Sequence, residues 1–135
     1  MIYLAIGSNL SSKFGDRFKN IELAISYLQK NKISIIKKSS FYETFSYPEK
    51  NNPKFINVVI KVECNFQPEE LVGILLNIEE KLERKRFKKN EPRTCDIDLI
   101  DYNNKTLNFN YKKFNYVVPH EQMIYRNFVL YPLKE

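Results

Sequence analysis

The chain has 135 residues, of which 43% are hydrophobic and 14% aromatic. That length suits one domain, 1–135, and the apolar share is enough to bury a core, which excludes general disorder. The formal net charge of +6 points toward anionic partners, phosphates above all.

The chain opens MIYLAIGSNL. Its apolar run is too short for a secretory signal or a membrane span. The expectation is a cytoplasmic, monomeric enzyme or binding module with no membrane partner. IYLAI, 2–6, reads as a buried strand that ends in the turn GSNLSS. Within 14–30, Phe18, Ile21, Ile25 and Leu28 recur at helical spacing, and Asp16 or Ser12 can cap the helix. Residues 33–37 and 40–44 are apolar or β-branched and read as extended chain. YPEKNNPK is a loop broken by Pro48 and Pro53.

FINVVIKVE, 55–63, alternates. Ile56, Val58, Ile60 and Val62 share the core face, and Phe55, Asn57, Val59 and Lys61 share the other. Pro68 then opens a helix with Glu69 and Glu70 at its positive end, and Leu71, Leu75, Ile78 and Leu82 form its apolar stripe. A basic segment, a strand over 95–101, a polar region suited to a short hairpin, and VVPHEQMIYRNFVLYPL complete the chain. The order is roughly β-α-β-β-α-β. It predicts an α+β fold: a ferredoxin-like sandwich, an antiparallel sheet with two helices packed on one face. That fold hosts many functions and selects none.

Segment 81–93, KLERKRFKKNEPR, holds seven Lys or Arg against two Glu, and so most of the excess charge. The chain uses 17 Lys but only five Arg, and four of the five (Arg84, Arg86, Arg93 and Arg126) lie in this segment or near the end. Arginine offers a planar fork that grips phosphate oxygens in pairs, which an ammonium cannot. Just after it, EPRTCDIDLI places Asp96 and Asp98 two apart on a strand. They share a face while Ile97 and Leu99 turn to the core. Two ionised carboxylates so close repel unless a cation intervenes. Mg²⁺ takes one or two carboxylates together with phosphates and water, so the pair beside arginines suits a Mg²⁺–triphosphate complex. The plainer alternative is two acids on a solvent-facing strand. Cys64 and Cys95, with no CxxC and a single histidine, His120, make neither a disulfide framework nor a zinc site.

AIGSNL, FINVVI, PRTCDIDL and VPHEQMIYRNFVLYPL, in that order across the chain, together resemble the 6-hydroxymethyl-7,8-dihydropterin pyrophosphokinase family of folate biosynthesis. The resemblance implies transfer of pyrophosphate from ATP to the hydroxymethyl group of the reduced pterin, with release of AMP. It implies two Mg²⁺ on Asp96 and Asp98, and phosphate contacts from Arg84 and Arg93 as catalytic residues. Glu79, Arg86, His120 and Arg126 would join them around ATP. Phe55 and Phe128 would sandwich the pterin, with Asn57 and Thr44 on its edge and Gly7 and Asn9 in the turn bordering the site. The chain departs from the family in having no tryptophan before PRT, where Asn90 stands and Phe87 is the nearest aromatic, and its loop there is shorter. Glu121 follows His120 where some members carry an aromatic, and the sequence stops at YPLKE where members usually continue. Two competing readings are a nucleic-acid-binding module, since such sheets bind RNA, and a family member without activity. The first lacks an aromatic RNP-type strand, and a D-x-D without metal repels phosphate. The intact Asp pair, arginines and histidine oppose the second. No nucleic-acid partner is therefore expected.

Overall fold

The computed structural model describes residues 1–44, 53–84 and 92–120. In chain order the elements are β1 (Ile2–Ser8), α1 (Arg17–Lys30), β2 (Ser34–Lys38), β3 (Tyr42–Thr44), β4 (Phe55–Glu63), α2 (Pro68–Lys81), β5 (Asp96–Tyr102), β6 (Leu107–Tyr111) and β7 (Phe114–Val118). The main sheet runs β2-β4-β1-β5, all antiparallel, with β3 continuing beside β4 after β2. This is the α+β sandwich predicted. β6 and β7 form the predicted hairpin as a separate two-stranded sheet.

The alternation in 55–63 holds. Ile56, Val58, Ile60 and Val62 are buried in the main core with Leu4 and Ile6 of β1 and Leu71, Leu75 and Ile78 of α2. At the start of α2, Gln67 makes a reciprocal capping box with Glu70, whose carboxylate accepts the Gln67 N–H at 3.0 Å. That satisfies donors the helix cannot pair internally. Asp16 caps α1 by accepting the Lys19 N–H at 2.9 Å.

The stripe expected on α1 is rotated. Ile21, Ala24 and Leu28 are buried, but Phe18 is 41% exposed and meets Phe41 edge-to-face at 5.4 Å. The inward place in the first turns goes to Asn20, whose side chain donates to the Leu10 carbonyl at 2.9 Å and accepts from Ser12 Oγ at 2.6 Å. A buried amide that ties down a turn outweighs an aromatic that can stay at the surface. Cys64 and Cys95 are free. Among the described residues no helix is long and apolar enough to cross a membrane.

The hairpin docks on α2 at Gly73. A Cβ there would stand 2.7 Å from the Tyr111 hydroxyl and 3.1 Å from its Cζ. Replacing an interior helical glycine by alanine normally gains about 0.5–1 kcal/mol. Here Gly73→Ala should give no gain, or a loss, in the native chain. In a Tyr111→Ala background the ordinary gain should return. Urea denaturation of the four proteins of this double-mutant cycle measures the coupling; a gain of the same size in both backgrounds contradicts the close docking.

Candidate active site

Three strands lay out the site face of the sheet. Gly7 of β1 pairs with Asp96 of β5 on one side and Asn57 of β4 on the other. Ala5, two residues earlier, pairs with Asp98 and Val59. The central strand therefore presents almost no side chain between the acidic pair and the Phe55–Asn57 pair. A Cβ on Gly7 would lie 3.0 Å from Asn57 Oδ1 and 3.4 Å from the Phe55 ring, so the flatness of this floor depends on glycine.

On the acidic side, Asp96 sits between two arginines. Arg84 Nη1 donates to Asp96 Oδ1 at 2.8 Å and Arg93 Nη1 to Asp96 Oδ2 at 3.1 Å. Arg84 also donates to Glu79 Oε2 and to the Cys95 carbonyl, both at 3.2 Å. Glu79, buried in α2, accepts the Ile97 N–H at 2.8 Å on the same oxygen. One carboxylate thus fastens helix, strand and arginine together. Burial works to raise the Asp96 carboxyl, but the charges and hydrogen bonds of Arg84 and Arg93 outweigh it and hold Asp96 below the usual carboxylate range. Asp98 goes the other way. Burial, then the negative charges of Asp96 and Glu79, push it well above that range. No described residue donates a hydrogen bond to it.

This donor set fits a hard divalent cation. Two carboxylates stand on one face, and one of them is held in place while the other accepts no hydrogen bond from a described residue. Among the described residues no cluster of three or more His, Cys, Asp or Glu could cage a metal by itself. A cation held by this pair alone would complete its shell with water or ligand oxygens, as Mg²⁺ characteristically does.

Beside the acids, a cavity of about 360 Å³ runs between α2 and β7, lined by Glu79, Asp96, Asp98, Val117 and His120 among others. That is the size of a small-molecule site. His120 is placed there by its N–H, which donates to the Ile100 carbonyl at 2.9 Å. On the other side of Gly7, Asn57 Nδ2 donates to Thr44 Oγ1 at 2.9 Å and to the Tyr42 carbonyl at 3.2 Å. Thr44 and Phe55 are cross-strand partners. The Arg93 guanidinium carbon lies 5.3 Å from the Phe55 ring centroid and so joins the two halves.

Glu79, Arg84, Arg93, Asp96, Asp98 and His120 are thus brought together, and Thr44, Phe55 and Asn57 lie beside them. Arg86, Arg126 and Phe128, with Phe87, Asn90 and Glu121, lie outside the described residues. Sequence reasoning under-read Asn9, which is buried. It donates from Nδ2 to the Pro53 carbonyl at 3.0 Å, accepts the Arg93 N–H on Oδ1 at 2.7 Å, and returns its own N–H to the Arg93 carbonyl at 3.0 Å. It pins the approach to β4 and the approach to β5 to one turn. Its partners are 44 and 84 residues away, so only its type, a turn asparagine, was visible.

The family model described as 7,8-dihydro-6-hydroxymethylpterin-pyrophosphokinase matches residues 3–135. The chain is 33% identical over 134 residues to a 2-amino-4-hydroxy-6-hydroxymethyldihydropteridine pyrophosphokinase of Bacillus subtilis, covering 98% of this chain and 75% of that protein. It is 31% identical to the protein of the same description from Aquifex aeolicus, covering 99% and 78%. It is 35% identical to the folic acid synthesis protein fol1 of Pneumocystis carinii over 98% of this chain, but spans only 17% of that longer protein.

The two aspartates should respond differently to neutralisation in the metal-free protein. A carboxyl whose folded pKa lies above its unfolded value destabilises the fold when ionised, so Asp98→Asn should stabilise at neutral pH, an advantage that shrinks as pH falls toward 4. Asp96→Asn removes a charge that two arginines hold, and should cost about 1–3 kcal/mol. Urea melts in EDTA at several pH values test this; equal effects of the two changes contradict it.

Proposed function

The chain belongs to the 7,8-dihydro-6-hydroxymethylpterin-pyrophosphokinase family, and on that premise we propose that it transfers pyrophosphate from ATP to the hydroxymethyl group of 6-hydroxymethyl-7,8-dihydropterin. The products are the pterin diphosphate and AMP, and the step belongs to folate biosynthesis. The observation that carries this reading is the acidic pair with its two arginines, set between a nucleotide-sized cavity and the Phe55–Asn57 platform.

In this reading the cavity beside α2 takes ATP, with Glu79 and His120 on its wall and Arg86 and Arg126 contributing from outside the described residues. Asp96 and Asp98 would hold the two Mg²⁺. The chemistry such ions would supply is neutralisation of triphosphate charge, which favours attack at the β-phosphorus. The protein's own contribution is positioning and charge. Arg84 fixes Asp96. Arg93, within reach of both halves, meets the charge that shifts as the bond from the β-phosphorus to AMP breaks and the bond to the pterin oxygen forms. The pterin ring lies over the bare floor at Gly7 and stacks on Phe55, with Phe128 as its other face. Asn57 Oδ1 is the edge acceptor, because Asn57 Nδ2 is already engaged by Thr44 and Tyr42.

Incubation with ATP, Mg²⁺ and the reduced pterin should consume the two substrates one for one and release AMP at the same rate. ADP as the product, or AMP formed without pterin, overturns the reading. Gly7→Val should raise the KM for the pterin about tenfold or more, because its branches enter the space beside Asn57 and Phe55, while the Kd for ATP changes by less than about threefold. Equal losses for both substrates in steady-state and binding measurements contradict the assignment of the two halves.

A further inference from the structure

The two arginines on Asp96 are not equivalent. The Arg84 side chain is 9% exposed and its Nη1 serves Glu79, the Cys95 carbonyl and Asp96 together. Its backbone N–H is held by the Glu79 carbonyl at 3.0 Å. If Arg84 left, the buried Glu79 carboxylate would lose a hydrogen-bonded cation, which is costly in a dry place. Arg93 is more open, with its side chain 20% exposed, and it reaches Asp96 Oδ2 at the longer distance of 3.1 Å. Its backbone is fixed in both directions to Asn9, so the loop is held apart from the side chain's contact with Asp96. Its guanidinium also lies over the Phe55 ring, which keeps favourable surroundings for the charge when the carboxylate is given up.

Both oxygens of Asp96 are engaged by these arginines. A cation that binds Asp96 beside Asp98 therefore comes up against one of these guanidinium groups, whose like charge opposes it and whose hydrogen bond draws on the same oxygen. We propose that Arg93 is the resident counter-ion of the metal site: it holds Asp96 Oδ2 until a divalent cation takes that oxygen, and then turns away, while Arg84 stays. The inference rests on the reading of Asp96 and Asp98 as metal ligands. It follows that Arg93 opposes metal binding when no nucleotide is present. The same guanidinium that suits phosphate is thereby tied up at the carboxylate until the metal arrives.

The test is Mn²⁺ binding to the nucleotide-free full chain, followed by electron paramagnetic resonance at pH 8. Arg93→Gln should bind Mn²⁺ about three- to tenfold more tightly than the native chain, the scale of one competing partly exposed ion pair plus one removed like charge. Lys113→Gln, which removes a cation from the wall of the neighbouring cavity but touches neither aspartate, should leave the affinity within about twofold. Asp98→Asn should abolish the binding. If Arg93→Gln binds Mn²⁺ no more tightly than the native chain while Asp98→Asn abolishes binding, the counter-ion role is overturned and the metal site stands. If Asp98→Asn binds like the native chain, the metal reading itself falls. An absence of Mn²⁺ binding to both native and Arg93→Gln chains also overturns the counter-ion role. A measurement on the native protein needs no variant to fold. The Arg93 side-chain Nε–H resonance should shift on titration with Mg²⁺ more than that of Arg84, and an Arg93 signal unmoved at metal saturation overturns the proposal.

Discussion

One guanidinium nitrogen, Arg84 Nη1, is shared by the Glu79 carboxylate, the Cys95 carbonyl and Asp96 Oδ1. Burial works against its charge, yet Asp96 and Glu79 hold Arg84 protonated more firmly than usual. The acidic strand depends on this contact. Without it, three carboxylates (Glu79, Asp96 and Asp98) would crowd one end of the sheet with Arg93, on Asp96, as the remaining hydrogen-bonded cation among the described residues, and their mutual repulsion would oppose the register of β5 against β1. Glu79 also accepts the Ile97 N–H, so the same cluster sets how α2 lies on the strand. Electrostatic need and backbone hydrogen bonding are met by one group of side chains, and the position of the cavity beside α2 follows from it.

The parts of this fold that were legible in the sequence are those fixed by local period. The alternation in 55–63 and the stripe of Leu71, Leu75, Ile78 and Leu82 give β4 and α2 within a residue or two, because each burial there repeats every two or every 3.6 residues. The D-x-D facing away from the core was legible for the same reason. Phe18 was misread because periodicity alone does not know that Asn20 must enter the core to bind Leu10 and Ser12. β3 was read as part of one extended stretch, but its pairing with β4 is set by a partner more than ten residues away.

At the site, residue types were legible and their states were not. Asp96 and Asp98 look alike in the sequence, yet one is held ionised by two arginines and the other is pushed toward protonation. The difference comes from which carboxylate the arginines reach, a matter of three-dimensional geometry. Gly7 reads as a turn residue, whereas its consequence is the absent side chain between Asn57 and Asp96.

The hairpin of β6 and β7 stands apart from the main sheet and carries two unlike faces. Phe109 and Tyr116 stack at 5.4 Å and pack on the main core, while Asn115 Nδ2 donates to Asn108 Oδ1 and Asn110 Oδ1 at the surface. Asn115 and Val117 line the cavity, as Glu79 does from the opposite side. The two walls therefore differ in how freely descent can rewrite them. Glu79 is bound into the strand and the arginine, so a change there disturbs fold and chemistry together. The amide ladder takes no part in the core, so its side chains can change with little cost to the domain, and the cavity can be reshaped from that wall.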